Sequence, residues 1–124
     1  MTKTEFDDCF EYLTGNRPFE WQARLFEAMK VGRIPDACDV PTGLGKTSVI
    51  AIWVLALGEY LLKDCNLRQI PLRLVYVVDR RVVVDQSTDE AERVIHKLQD
   101  SLCRPESPSI LKAIAQGYAC ATFT

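Results

Sequence analysis

The chain has 124 residues, 48% of them hydrophobic and 26% charged, with a formal net charge of −2. That length and apolar share suit one folded domain with a core and exclude a disordered segment. The charge excludes a global basic field, so any grip on nucleic acid has to come from local arginines.

Phe6, Cys9, Phe10 and Leu13 fall at i, i+3, i+4 and i+7, one apolar helical stripe that stops near Gly15. Pro18 suits the first turn of a second helix, Phe19 to Lys30, and Gly32 and Pro35 then break the chain. Ala37 to Val40 is short and reads as a buried strand leading into a glycine turn. A long helix follows from about Gly45 to Lys63, apolar nearly all round at Val49, Ile50, Ile52, Trp53, Val54, Leu55 and Leu57. Such a helix is expected to lie on a sheet and to be covered on its other side. Leu72 to Val78, "LRLVYVV", is rich in β-branched and aromatic residues and reads as an interior strand. A helix over Val83 to Leu98 comes next, with Ala91, Val94, Ile95 and Leu98 on one face. Residues 101–109 form a loop. A short helix, Ile110 to Gln116, and a strand, Tyr118 to Phe123, end the sequence. Strand, helix, strand, helix, strand predicts an α/β layer fold, a parallel sheet flanked by helices, in a single domain over residues 1–124.

Cys9, Cys38, Cys65, Cys103 and Cys120 are scattered, odd in number and form no CxxC pair. They read as reduced, packed thiols of a cytoplasmic protein, and with His96 as the single histidine no structural zinc site is expected. The N-terminus MTKTEFDD is charged and lacks the apolar stretch of a secretion signal. The longest apolar run, Val49 to Leu57, is about half a membrane span, so no membrane partner is expected.

The chemistry concentrates in "PTGLGKTS", Pro41 to Ser48. Gly43 and Gly45 let backbone N–H groups converge without Cβ obstruction. Those amides, with Thr42 and Leu44 in the turn and Ser48 at the start of the following helix, make a concave anion site. Lys46 places an ammonium on β- and γ-phosphate oxygens, and Thr47 offers its hydroxyl to Mg²⁺. The full phosphate-loop pattern has glycine five positions before Gly45, where Val40 stands instead. That departure favours the variant in which a strand ends in Pro-Thr-Gly.

Two flanking segments fit the same use. In "NRPFEWQARLFEAM", Gln22 carries an amide able to donate to and accept from an adenine edge, and Arg17 or Phe19 can stack on the ring; the bland alternative is a helix-surface glutamine. In "VYVVDRRVVVDQS", Asp79, Arg80 and Arg81 emerge where a buried strand ends, the edge at which open α/β sheets bind ligands. Arg80 or Arg81 can hold a nucleic-acid phosphate there, the alternative being a solvated charge cluster.

The order RPFxxQ, then VPTGxGKT, then a strand with DRRxxxDQ resembles the first motor lobe of superfamily 2 helicases, over about Arg17 to Leu98. The DRRVVVDQ form is similar to that of type I restriction-enzyme motor subunits. "RLVYVVDRRVVVDQSTDEAE" as a whole looks most like the CRISPR-associated helicase-nucleases of type I systems. The resemblance implies a partial RecA-like lobe. It implies an ATP–Mg²⁺ site at Gln22, Thr42, Gly43, Leu44, Gly45, Lys46, Thr47 and Ser48, and a single-stranded DNA track at Arg80 and Arg81. It also implies a CRISPR effector complex as partner.

"TDEAER", Thr88 to Arg93, imitates the acidic DEAD/DEAH box, whose metal-binding aspartate must end an apolar strand. Asp89 is instead preceded by Asp85, Gln86, Ser87 and Thr88, and the apolar period continues a helix beyond it, leaving Asp89 and Glu90 near its polar start. The sequence stops before a true second acidic motif and before the second lobe, whose arginine finger is worth about 10³–10⁵ in rate in such sites. The 124 residues therefore read as a truncated lobe with negligible hydrolysis of its own. A standalone nucleotide- or partner-binding module and a small-molecule kinase are the alternatives, the latter disfavoured by Arg80-Arg81 and the Gln22 segment.

Overall fold

The computed structural model describes residues 1–36, 46–62, 74, 75, 77 and 81–121. Among the described residues, regular structure comprises five α-helices and one 3₁₀ turn. Helix α1, Lys3–Thr14, starts with a reciprocal cap: Thr2 Oγ1 accepts from the Glu5 N–H (3.2 Å), and Glu5 Oε1 accepts from the Thr2 N–H (3.0 Å). The hydrogen bond from the Thr2 backbone N–H is the largest cause holding the Glu5 carboxyl below its usual range. It ends at Gly15, whose φ of 83° is left-handed and whose N–H donates to Glu11 O. The predicted stripe of Phe6, Cys9, Phe10 and Leu13 is fully buried.

Helix α2, Glu20–Lys30, buries Gln22, Leu25, Phe26 and Met29. Phe26 stacks on Phe6 at 4.3 Å between ring centroids, and Phe6 leans on Phe10 at 5.6 Å. The turn Lys46–Ser48 runs directly into α3, Val49–Leu62. Ala51, Ile52, Leu55, Ala56 and Leu57 are all buried, and α3 touches α1, α2, α4 and α5. A helix apolar all round needs cover on every side. Here other helices supply it.

One bridge ties α2 and α3 to the N-terminus: Lys30 Nζ donates to Met1 O (2.9 Å), and the Met1 ammonium pairs with Glu59. The two helices also pack directly against each other.

Helix α4, Arg81–Asp100, turns Val94 into the core and also buries Ser87 and Glu90. The loop after it is pinned from within. Ser101 Oγ donates to Leu98 O (2.6 Å), and Ser107 Oγ lies 2.7 Å from Ser101 O and 2.8 Å from Arg104 O. Helix α5, Ser109–Ala121, packs on α3 through Leu111, Ile114 and Tyr118, and Tyr118 donates its hydroxyl to Val54 O (2.6 Å). At Gly58 a Cβ would stand 2.3 Å from Ile114 Cγ2, so a side-chain-free position sets the spacing of α3 and α5.

The expected α/β fold with a parallel sheet, and with it the RecA-like lobe, is overturned: no strand occurs among the described residues, and the core is helix on helix. Two of the expected strands bear on this. Tyr118 to Ala121 belong to α5, because the period of Leu111, Ile114, Ala115 and Tyr118 carries the helix past Gln116. Within Leu72 to Val78, the described Leu74, Val75 and Val77 are not in a strand, and Val75 and Val77 are 78% and 87% exposed. A strand exists only through its neighbours' hydrogen bonds, which a β-rich composition does not supply. The expected strand Ala37 to Val40 lies outside the described residues, as do Phe123 and the remainder of Leu72 to Val78.

Candidate functional site

The described part of the glycine turn is its helical end. Lys46, Thr47 and Ser48 form the 3₁₀ turn that opens α3. The first amides of a helix have no intrahelical acceptor, and the helix dipole adds positive potential there. Thr47 and Ser48 are half-buried at this end. Thr42, Gly43, Leu44 and Gly45 lie outside the described residues.

The turn packs against α3, which it opens, and against α4, whose first residue is Arg81. Phe19 and Gln22 belong to the start of α2, which packs on α3. Arg81 is exposed, in a position where the dipole of its own helix disfavours a cation and favours an anion. Arg80 lies outside the described residues.

Gln22 is only 2% exposed. It occupies the third position of α2, and its Oε1 accepts from the Phe19 N–H at 2.7 Å. This closes the start of a helix whose leading residue has no side-chain oxygen to do so. Arg17 is held on the outer face of α1: its guanidinium reaches Glu11 at 2.9 Å, Asp8 at 3.3 Å and Asp7 at 3.7 Å. Phe19, between them, remains 47% exposed. The three residues offered for a nucleotide base by the sequence thus have three different fates.

Thr88 to Arg93 lie wholly within α4, so the resemblance to an acidic box is a helix, as the period predicts. Asp89 is exposed on its outer side, and Glu90 is turned inward with Arg93 Nη1 at 3.0 Å from its carboxylate. Both stand in mid-helix rather than near its start.

Two features escaped the sequence reading. A groove of about 780 Å³ opens between α3, α4 and α5, lined by Trp53, Val54, Val84, Ala91, Ile95 and Leu98 among others. Its only sequence signal is the two-sided apolar pattern of α3. The second is Glu59, an acid inside the apolar run of α3 that is buried against the Met1 ammonium. Its isolation among apolar neighbours marks it in the sequence, but its partner is 58 residues away. No helix among the described residues is long and apolar enough to cross a membrane. Comparison with protein-family models, with curated proteins and with solved structures found no match to this chain.

Proposed function

We propose that this chain is the nucleotide-binding portion of an ATP-driven nucleic-acid motor, a helicase or translocase of a CRISPR-associated interference system in the cytoplasm. One observation carries the reading: the glycine turn delivers Lys46, Thr47 and Ser48 straight into the first turn of a long, buried helix. Buried along its length, α3 gives that end a fixed position, and fixed amides bind anions without reordering. The reading does not need a sheet. It needs the turn, the helix and one ammonium.

In this assignment Thr42 to Gly45 belong to the phosphate site by their place in the PTGLGKTS sequence, and Lys46 neutralises the β- and γ-oxygens. Thr47 and Ser48 close the site from the helix side. Thr47, half-buried at the helix start, fits a hydroxyl ligand of Mg²⁺, which would supply charge neutralisation between the phosphates. Arg81 and Arg80 hold the phosphates of single-stranded DNA, which their positive charge suits irrespective of base.

Binding without turnover is the second reading, and the placement of Asp89 and Glu90 favours it for these 124 residues. Neither acid ends a strand, and Glu90 is engaged with Arg93. Both readings require nucleotide to bind, and they part at hydrolysis. The test is retention of labelled ATP by the wild-type chain and by Lys46→Ala, with phosphate release followed in parallel. Retention is expected to fall at least about tenfold in the variant, with no DNA-stimulated phosphate release in either protein. Equal retention by both would remove the phosphate-loop assignment, and strong DNA-stimulated release would remove the non-hydrolysing reading.

A further inference from the structure

The groove between α3, α4 and α5 plays no part in the phosphate-loop reading, and one of its walls has a regular pattern. On α4 the lining residues Val84, Thr88, Ala91, Ile95 and Leu98 follow one another in alternating steps of four and three. Leu102 continues the series into the turn after the helix. That is the spacing of a seam along which a second helix lies. From Val84 to Leu98 the seam is about 21 Å long, at 1.5 Å per residue. Trp53 and Val54 of α3 and Tyr118 of α5 line the groove beside it. Val84, Ile95 and Leu102 stay exposed at the margin of this opening of about 780 Å³. We propose that the groove receives one amphipathic helix of a partner protein, apolar on its buried face and carrying lysine or arginine on the flank that meets Asp85 and Glu92.

Two observations select that occupant. The first is the repeat. A compact ligand fills one part of such a groove, whereas this seam recurs over about four helical turns. A helix with apolar side chains at i, i+3, i+4 and i+7 matches every step of it, and Trp53 offers an aromatic anchor in the facing wall.

The second is charge. Asp85, Glu92 and Gln99 are seven residues apart, so they share one flank of the seam, and all three are exposed. Among the residues lining the groove, Glu92 is the single charged one. On the other flank Ser87 and Val94 are turned into the body of the protein. An incoming helix therefore meets charge on one side only, and the charge there is acidic. The nearby Arg93 does not offset it, because its guanidinium is engaged with Glu90 at 3.0 Å. Complementary charge fixes which partner docks and in which register.

A second copy of the chain suits the groove less well. In a two-fold pairing across the middle of the seam, Glu92 of one copy faces Glu92 of the other, a like-charge contact.

The test is titration of the 124-residue chain with two synthetic helical peptides of about three heptads each. Both carry leucine along the seam; one has lysine and the other glutamate at the flanking positions. Each bears a fluorescent label and is kept below the concentration at which it associates with itself. The lysine peptide is expected to bind at least about tenfold more tightly than the glutamate peptide. Glu92→Lys is expected to abolish or reverse that preference. Ile95→Glu is expected to weaken the lysine peptide by at least about tenfold while leaving the unfolding midpoint nearly unchanged, a pairing that general damage to the fold does not produce. Equal binding of both peptides overturns the basic chemistry assigned to the partner. Binding of neither overturns the proposal. In that event a dimer in sedimentation that Ile95→Glu dissociates would identify a second copy as the occupant. A monomer whose unfolding midpoint falls in Ile95→Glu would instead mean that the chain fills its own groove. ATP retention is independent of all these outcomes, so the phosphate-loop reading stands or falls separately.

Discussion

The two sides of α3 differ, although the helix is apolar on both. Toward α1 and α2 it meets Phe6, Phe10, Leu25 and Phe26, which interdigitate with aromatic rings at 4.3 and 5.6 Å. Toward α4 it meets an opening of about 780 Å³, at whose margin Val84 and Ile95 remain exposed. The difference lies in the partner helices rather than in α3. Helix α2 places four side chains on one face within 11 residues, all buried, whereas along α4 the exposed Val84 and Ile95 line the opening beside the buried Val94. Burial is a property of pairs of faces, and a strongly apolar helix does not seal a neighbour that is mainly polar.

Substitutions on the two sides should separate accordingly. Phe26→Ala removes a fully buried ring from the closed side and is expected to cost about 3–5 kcal/mol, read as a lower urea midpoint. A loss below 1 kcal/mol would mean that the closed side is no better packed than the open one. Gly58→Ala drives a methyl into Ile114 and is expected to cost about 1–3 kcal/mol, with partial recovery when Ile114→Ala is added. Lack of recovery would place the strain elsewhere.

Alkali probes the closed side more gently. Burial, assisted by Asp8 and Glu5, pushes the Cys9 thiol from 9.0 up to about 12. The folded state keeps the thiol neutral where the unfolded chain ionises it, so stability is intact below pH 9 and is lost as pH rises toward 12. Thermal midpoints between pH 8 and 11 should fall less steeply in Cys9→Ala. The smallest effect belongs to the groove. Ile95 is 54% exposed, and Ile95→Glu is expected to change stability by no more than about 0.5 kcal/mol in a urea titration. A large loss would show that the open side carries stability after all.

Much of the helical layer was legible in the sequence. The period of Phe6, Cys9, Phe10 and Leu13 gave α1, and Gly15 gave its end. Helices α2, α3 and α4 were placed within a few residues because their apolar spacing is local. The expected sheet was wrong, for a physical reason. Composition at Leu72 to Val78 reports which residues tolerate a strand, while a strand depends on a ladder that no single segment contains. At the C-terminus the composition of Tyr118 to Phe123 suggested a strand, but Tyr118 continues the face of Leu111 and Ile114. At Lys46 to Ser48 the sequence showed where a long helix begins, and the structure puts a 3₁₀ turn and α3 there; the binding role of these residues is a proposal. Less was readable at Gln22, whose choice between a ligand and the head of its own helix is decided by orientation. The capture of Arg17 had a visible cue in the acids at positions 7, 8 and 11, which share the outer side of α1.

The loop between α4 and α5 has a consequence for regulation. Ser107 precedes Pro108, a dipeptide that proline-directed kinases accept in extended segments. Its hydroxyl is buried and lies within hydrogen-bonding distance of the carbonyls of Ser101 and Arg104. A phosphoryl group on that oxygen would have to break both contacts. An enzyme searching the folded surface for that dipeptide meets a closed knot of backbone, and only a chain already opened at this loop offers it a substrate.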